Sequence, residues 1–255
     1  MKIVACVKQV PDTAAKVAVD NGKVSWGDAP LIINPWDEYA VEAALQMKEA
    51  NGGTVTAVTI GFESAADALK HALAMGCDDA VLINDPALAV IDTQSVARVL
   101  AAAVKKMDAV DLVYFGKEGV DGNSGLVAAQ TARLLGFASL TMASVVKFEG
   151  GALRIERATE EGRQVVTSKT PAVLSIGKDF GEPRYPSFMG IRKASKATIP
   201  TWTLADLGIA APTPVVSTVE ILNPPSREVN CEILSGTPAE AAEKLVEKIF
   251  AEKVL

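Results

Sequence analysis

The sequence predicts an α/β protein with a parallel, doubly wound sheet covered by helices on both faces. Through the first half of the chain, short runs rich in Val and Ile alternate with longer segments that carry apolar residues at three- and four-residue spacing. Turn residues bound the short runs, as is typical of strands in successive βαβ units. The predicted strands are Lys2–Val7, Thr54–Ile60, Ala80–Ile83 and Leu112–Phe115, and the predicted helices are Pro35–Ala50, Ser64–Ala74 and Thr93–Met107.

The boundaries of the predicted helices carry their own signals. Asn34 precedes Pro35, so the sequence predicts a side-chain cap followed by proline at the first helical position. Ser64 and Asp67 have the spacing of a capping box. Gly76 follows the second helix and predicts its end.

The pattern changes after a predicted helix over Leu126–Leu135. Strand-like runs separated by glycines then predict antiparallel hairpins appended to the parallel sheet. These runs are Val145–Phe148, Leu153–Glu156, Gln164–Ser168 and Ala172–Ile176. Prolines punctuate the chain from Thr198 until a final predicted helix, Pro238–Val254. We therefore divide the chain into a main domain, 1–197, and a C-terminal arm, 198–255, which packs on the main domain or on a partner.

Composition excludes or disfavours several classes of function. The 255 residues carry a net charge of −6 without a long basic stripe, which argues against nucleic acid as a partner. A single histidine, His71, disfavours metal sites and acid–base catalysis near neutral pH. Three widely spaced cysteines suggest reduced thiols in the cytoplasm, and no apolar run is long enough to insert into a membrane.

A loop with four regularly spaced glycines is the most informative segment. Gly116, Gly119, Gly122 and Gly125 lie between a predicted strand and a predicted helix. Such a loop lets the backbone approach a ligand, and the helix that follows presents free N–H groups to an anion such as phosphate. The spacing matches neither a Walker loop nor the dinucleotide motif. A merely flexible connection is the alternative interpretation.

Other residues are predicted to surround the same crevice, because ligands of doubly wound sheets gather where the parallel strands end. The segment Cys6–Thr13 covers the end of the first strand, Ile60 and Gly61 lie at the end of the second, and 34–37 begins the first helix. Taken singly, Cys6 and Ile60 would be core residues and Asn34 a helix cap. Their joint placement beside the glycine loop favours a binding site.

A third candidate lies between Gly181 and Lys196. Tyr185, Phe188 and Met189 fall on a proline-flanked loop rimmed by basic side chains, a composition that suits a contact with another protein. The same side chains could instead form a small satellite core.

Together these segments resemble the β subunit family of electron-transfer flavoproteins, over about residues 1–210. The matching motifs are Val7–Asp12, Asn34–Ala44, Ala72–Asp79, the Gly116-Lys117 loop with Asp121, and Glu182–Tyr185 followed by Ile191–Ala194. The resemblance implies an adenine-nucleotide-binding, HUP-like fold in the main domain. It also implies a partner-recognition loop over 182–196 and an arm that packs on an α subunit.

The resemblance further implies an electron carrier with no catalytic residue of its own. Such a chain pairs with an α subunit as a heterodimer, accepts electrons from acyl-CoA or other dehydrogenases, for instance in fatty acid β-oxidation, and passes them to a membrane-linked quinone oxidoreductase or other acceptor. FAD is held mainly by the α subunit, and AMP lies in the β subunit.

Carried over by position, the family's site residues form three groups. Those expected at AMP are Cys6, Asn34, Pro35, Trp36, Asp37, Ile60, Gly116, Lys117, Glu118, Gly119, Val120, Asp121, Gly122, Asn123, Ser124, Gly125, Leu126 and Val127. Thr13 and Trp36 would lie toward the flavin. Those expected at a dehydrogenase are Arg184, Tyr185, Phe188, Met189 and Ile191, with Phe188 as the apolar anchor.

Two alternatives remain open at this stage. Some relatives bind a second FAD in place of AMP and split electron pairs between two acceptors. From another class, a stand-alone adenine-nucleotide binder of the stress-protein type shares the α/β layout. The chain also departs from many family members at 125–128, where it lacks their polar side chains, so Ser124 and backbone N–H groups would have to hold a phosphate.

Overall fold

A nine-stranded sheet organises the first part of the chain. The computed structural model describes residues 1–225 and 231–253, and it contains two compact units, Met1–Glu220 and Ile221–Leu255. The strands are β1 Lys2–Cys6, β2 Gln9–Pro11, β3 Ala18–Asp20, β4 Lys23–Ser25, β5 Leu31–Ile33, β6 Thr54–Ile60, β7 Asp79–Ile83, β8 Leu112–Gly116, β9 Ala138–Glu149, β10 Ala152–Thr159, β11 Gly162–Ser168, β12 Ala172–Ile176 and β13 Thr201–Trp202. The helices are α1 Pro35–Asn51, α2 Ala66–Met75, α3 Thr93–Met107, α4 Val127–Leu135, α5 Phe188–Ala194 and α6 Pro238–Ala251.

The main sheet has the order β11-β10-β9-β12-β8-β1-β6-β7-β13 and is parallel from β9 to β13. Side chains of β1 alternate between its two faces. Ile3 and Ala5 join the core under α1 and α2, whereas Val4 and Cys6 join the core under α3 and α4. Helices therefore cover both faces, which confirms the predicted doubly wound α/β class.

The strand order reverses beside β1. The chain passes from β1 to β6 and β7 on one side, and then returns to β8 on the other side of β1. The connections that leave β1 and β8 therefore diverge at their carboxyl ends. In sheets of this kind, that divergence creates the crevice in which ligands bind.

The strand Ala172–Ile176 was wrongly grouped with the antiparallel hairpins. As β12 it is buried at all five positions and pairs in parallel with both β8 and β9. Its continuous apolar run is typical of a strand covered on both faces, and this run was the signal of a central position in the sheet. Only β10 pairs antiparallel with both of its neighbours, β9 and β11, among the main-sheet strands of the described chain.

Two predicted helix caps were also wrong. The side chain of Asn34 makes no cap on α1, because it bonds elsewhere. A short 3₁₀ turn precedes α2, which begins at Ala66 without a side-chain cap, and Ser64 instead donates its hydroxyl to Gln9 Oε1 at 3.0 Å. Gly76 does end α2, with φ of 133°.

The segment between Gly181 and Lys196 is not a loop throughout. Phe188 and Met189 open α5, a helix of 7 residues. The hydroxyl of Ser187 accepts a hydrogen bond from Gly190 N at 2.9 Å and so caps this helix. The serine before an apolar pair was the sequence signal for this start.

The C-terminal region falls into both units. Residues 198–220 of the predicted arm belong to the first unit, in which β13 pairs with β7. The second unit contains α6, which begins with a capping box between Thr237 and Glu240. The last residue predicted for this helix, Val254, lies outside the described residues. Within 1–225 and 231–253, none of the helices is long and apolar enough to cross a membrane.

Candidate functional site

A cavity of about 300 Å³ opens at the carboxyl ends of β1, β6 and β8, where the strand order reverses. Twelve of the residues expected at AMP line it, namely Cys6, Asn34, Asp37, Ile60, Gly116, Lys117, Glu118, Gly119, Ser124, Gly125, Leu126 and Val127. The structure thus brings together residues from four separate segments of the chain. The volume is at the lower end of the range for small-molecule sites.

Asp37 fixes the geometry of the cavity floor. Its Oδ2 accepts a hydrogen bond from Lys8 N at 2.7 Å, and its Oδ1 accepts one from Gly116 N at 3.2 Å. One carboxyl group on α1 therefore holds the ends of both β1 and β8. Burial raises the pKa of Asp37 to about 7, although the hydrogen bonds it accepts oppose that rise.

Gly116 is required because the backbone and Asp37 approach it closely. A Cβ atom at this position would lie 2.4 Å from Asp37 Oδ1 and 2.6 Å from both C and O of Trp36. By contrast, a Cβ atom at Gly122 would meet nothing within 4 Å. The regular spacing of the glycines is thus not itself the requirement, and each position has its own environment.

Side chains on both sides hold the glycine loop in place. Asn34 donates from Nδ2 to Glu118 O at 2.9 Å and accepts from Val120 N at 3.1 Å. Lys8 Nζ forms an ion pair with Asp121 Oδ2 at 2.6 Å. These contacts argue against the interpretation of the loop as a merely flexible connection, and they explain why Asn34 is unavailable to cap α1.

An apolar wall of the cavity was missed by the sequence analysis. It consists of Leu88 and Ile91, which follow β7, together with Val96 and Leu100 of α3. The carboxyl end of β7 lies at the same edge of the sheet as β1 and β6, so the residues after it could have been included on topology alone. Of the other lining residues, Val7, Lys8 and Gly61 lie in segments predicted to surround the crevice, whereas Phe115 and Ala128 were not predicted for the site.

The amino end of α4 opens onto the polar side of the cavity. Ser124, Leu126 and Val127 line the cavity at this point, and no side chain of the described residues caps the helix. The first backbone N–H groups of an α-helix have no partner within the helix, and the helix dipole makes this end positive. The arrangement therefore favours an anionic group.

Cys6 is a poor candidate for chemistry. It is buried in the cavity wall, and burial together with the nearby Asp37 carboxyl raises the pKa of its thiol far above the usual range. Among residues 1–225 and 231–253, no group of three or more His, Cys, Asp or Glu side chains is placed to hold a metal ion.

Seven residues expected near the nucleotides lie outside the lining of the cavity. Pro35, Trp36, Val120, Asp121, Gly122 and Asn123 occupy the start of α1 or the outer part of the glycine loop, and Thr13 lies in an exposed turn. The ring of Trp36 is half-buried, with Lys117 Nζ 5.3 Å from its centroid. Trp36 therefore borders the site without facing the cavity.

The residues predicted at a dehydrogenase form an exposed apolar surface. Tyr185 is 94% exposed and Phe188 80% exposed, and Met189 and Ile191 are also exposed. The satellite-core interpretation is therefore wrong. Arg184 differs from the rest, because its guanidinium is engaged with carboxylates of α1.

Fold and cavity together define a doubly wound α/β protein with a ligand-sized cavity at the reversal of strand order. The model of the electron transfer flavoprotein domain matches residues 26–207. The electron transfer flavoprotein subunit β of Bacillus subtilis (strain 168) is 38% identical over 255 aligned residues, which cover 99% of this chain and 98% of the relative. The chain therefore belongs to the β subunit family of electron transfer flavoproteins, whose members are electron carriers in flavin-associated electron transfer.

Two other relatives match along their full lengths. The electron transfer flavoprotein subunit β of Thermoanaerobacterium thermosaccharolyticum is 36% identical, with 100% of both chains covered. The caffeyl-CoA reductase-Etf complex subunit CarD of Acetobacterium woodii is 34% identical, again with 100% of both chains covered. The family suggested by the sequence motifs is thus confirmed.

Proposed function

We propose that this chain pairs with an α subunit to form a flavoprotein heterodimer that carries electrons from dehydrogenases to a separate acceptor. Acyl-CoA dehydrogenases are the proposed donors, and a quinone oxidoreductase or another acceptor receives the electrons. FAD is shared with the α subunit, and AMP occupies the cavity of this chain. The observation that carries the proposal is the cavity beside the uncapped end of α4, in a chain of this family.

The two sides of the cavity suit the two ends of AMP. The apolar wall that contains Leu88, Ile91 and Leu100 accepts the adenine ring. The amino end of α4 and Ser124 accept the phosphate, which compensates for the missing polar side chains at 125–128. Bound AMP would stabilise the folded chain, because only the folded state presents both surfaces.

The flavin supplies the redox chemistry when it is bound. This chain positions the flavin in the proposal, and none of its side chains needs to act as an acid or base. Thr13 and Trp36 are the proposed residues on the flavin side, and Lys117 supports the ring of Trp36 from above.

Exposed apolar side chains near the C-terminus are the proposed contact with the α subunit. Val219 is 96% exposed, and Leu222, Ile233 and Phe250 are also exposed. Apolar exposure of this extent in successive segments is typical of surfaces that another protein covers. The arm 198–255 is proposed to make this contact, and its residues 198–220 also belong to the first unit, in which β13 pairs with β7.

Release of nucleotides from the purified heterodimer tests the occupancy of the cavity. We expect one FAD and one AMP per heterodimer after heat denaturation, measured by chromatography against standards. Two FAD and no AMP would instead support a bifurcating form, an alternative that the relative named as a subunit of a reductase-Etf complex keeps open. A colourless chain that purifies without a second subunit would contradict the proposal and favour the stand-alone nucleotide binder.

Phe188→Ala tests the proposed docking of dehydrogenases. Loss of a largely exposed aromatic anchor is expected to raise the KM for the dehydrogenase by roughly fivefold or more, because truncated anchors commonly lose over 1 kcal/mol. FAD content should not change. Steady-state kinetics with varied dehydrogenase and the flavin absorbance of the purified protein measure the two quantities.

Val165→Ala is the matched control, since Val165 is another exposed apolar residue, on the edge strand β11. Its KM should equal that of the wild type. Equal KM values for wild type and Phe188→Ala would remove the docking assignment.

A further inference from the structure

Two anchors hold residues 182–191, which we call the docking segment, against helices α1 and α2. The first anchor is Arg184, whose guanidinium spans two carboxylates of α1. Its Nε lies 2.7 Å from Glu42 Oε2, and its two terminal nitrogens lie 2.6 and 3.1 Å from the oxygens of Glu49. One of those terminal nitrogens also reaches Glu42 Oε1 at 3.1 Å. All three guanidinium nitrogens are therefore engaged within the chain.

The carboxylate of Glu42 is built into the fold. Only 6% of its side chain is exposed, and it also accepts hydrogen bonds from Gln46 Nε2 at 2.7 Å and from Arg184 N at 3.1 Å. Burial alone would raise the pKa of Glu42, but the hydrogen bonds from Arg184 and Gln46 hold that pKa below its usual value. The ion pair is thus a partly buried, bidentate one, the kind with well-defined geometry.

The second anchor is Gly190 in α5. A Cβ atom at this position would lie 2.2 Å from Ala74 O, so α5 rests directly on the carboxyl end of α2. The Ser187 hydroxyl accepts a hydrogen bond from Gly190 N and fixes the first turn of α5. The docking segment is therefore held on both sides of its most exposed apolar side chains, Tyr185 and Phe188.

From this geometry we propose that Arg184 is a positioning residue for docking, acting on the partner protein only through the segment it holds. This inference rests on the proposed function of the segment as the docking site for dehydrogenases. The guanidinium nitrogens of Arg184 are bonded to Glu42 and Glu49 of the same chain. Because the docking segment is already ordered, it loses less conformational entropy when the partner binds.

Arg184→Gln and Glu49→Gln together test this role. Glu49 is about half exposed and lies on α1, so its variant should fold even if loss of Arg184 destabilises the chain. In the intact heterodimer, both variants should raise the KM for the dehydrogenase by roughly two- to tenfold. This factor corresponds to the entropy lost when one additional side chain is immobilised on binding. The kcat and the FAD content should stay at wild-type values, and amide exchange across 182–191 should become faster.

The control and the contrary outcomes separate this inference from the proposed function. Glu160→Gln removes an exposed carboxylate in the turn between β10 and β11 and should behave as wild type. If Arg184→Gln raises KM but Glu49→Gln does not, Arg184 contacts the partner directly, and the positioning role is wrong. If neither variant changes KM while Phe188→Ala does, the positioning role is wrong and the docking site stands. If all three leave KM unchanged, the docking site itself is wrong.

Discussion

Gly116→Ala is expected to destabilise the chain and to weaken nucleotide retention. The new methyl group would fall 2.4 Å from Asp37 Oδ1 and 2.6 Å from the carbonyl of Trp36. Neither neighbour can move freely, because the Asp37 carboxyl accepts two backbone hydrogen bonds and Trp36 lies in the first turn of α1. Forced overpacking of this kind costs about 1–3 kcal/mol, which urea unfolding would measure.

Gly122→Ala is the matched control in the same loop. A Cβ atom at Gly122 meets nothing within 4 Å, so its free energy of unfolding should lie within about 0.5 kcal/mol of wild type. Nucleotide content per heterodimer should fall in the Gly116 variant and not in the Gly122 variant. Equal stability of the two variants would show that the crowding at Gly116 relaxes without cost.

Asp37→Asn is expected to weaken the link between β1 and β8. Asparagine keeps one acceptor oxygen and places an NH₂ group where the second backbone N–H donates, so one buried hydrogen bond is lost. An unsatisfied buried donor costs about 1–3 kcal/mol, which urea unfolding at pH 5 would measure.

The loss of unfolding free energy in Asp37→Asn should become smaller as the pH rises. The pKa of Asp37 is about 7 in the folded protein, against an ordinary value of 3.8, so the folded state binds this proton more tightly than the unfolded chain. Between those two values the stability of the wild type falls as the pH increases, and above about 7 this contribution is constant. Asparagine does not titrate, so the difference in unfolding free energy between wild type and variant should be smaller at pH 8 than at pH 5.

Asp67→Asn serves as the control for pH. Asp67 is an exposed carboxylate in the first turn of α2, where it pairs with Lys70. Its replacement should change stability by less than about 1 kcal/mol. If wild type and Asp37→Asn differ in unfolding free energy by the same amount at pH 5 and pH 8, the raised pKa of Asp37 is contradicted.

The apolar periodicity of the sequence was sufficient to predict the central strands and helices. It was insufficient for strands whose direction or existence depends on the strands they pair with. The strands around β1 and helices α1 to α3 carry their own apolar periodicity, so they could be predicted singly. The direction of β12 could not, because a short apolar run fits either direction and its two neighbours decide. Strands of two or three residues such as β13 have no period to detect.

The candidate site shows the same limit. Cys6, Asn34 and Ile60 were assembled from topology alone, because strand ends meet at one edge of a parallel sheet. The roles of individual residues depend on contacts between distant segments. Only the structure shows that Arg184 pairs with Glu42, more than 140 positions away. It also shows that the side chain of Asn34 bonds to the glycine loop and does not cap α1.

Helix α1 sets the distance between the cavity floor and the docking segment. Asp37 near its start fixes the cavity floor, and Glu49 near its end holds Arg184 at the root of the docking segment. At 1.5 Å per residue, these carboxylates are separated by about 18 Å along the helix axis. An insertion or deletion within α1 would alter that spacing and rotate one carboxylate relative to the other. The length of this helix is therefore expected to tolerate less change than that of the exposed turn between β3 and β4.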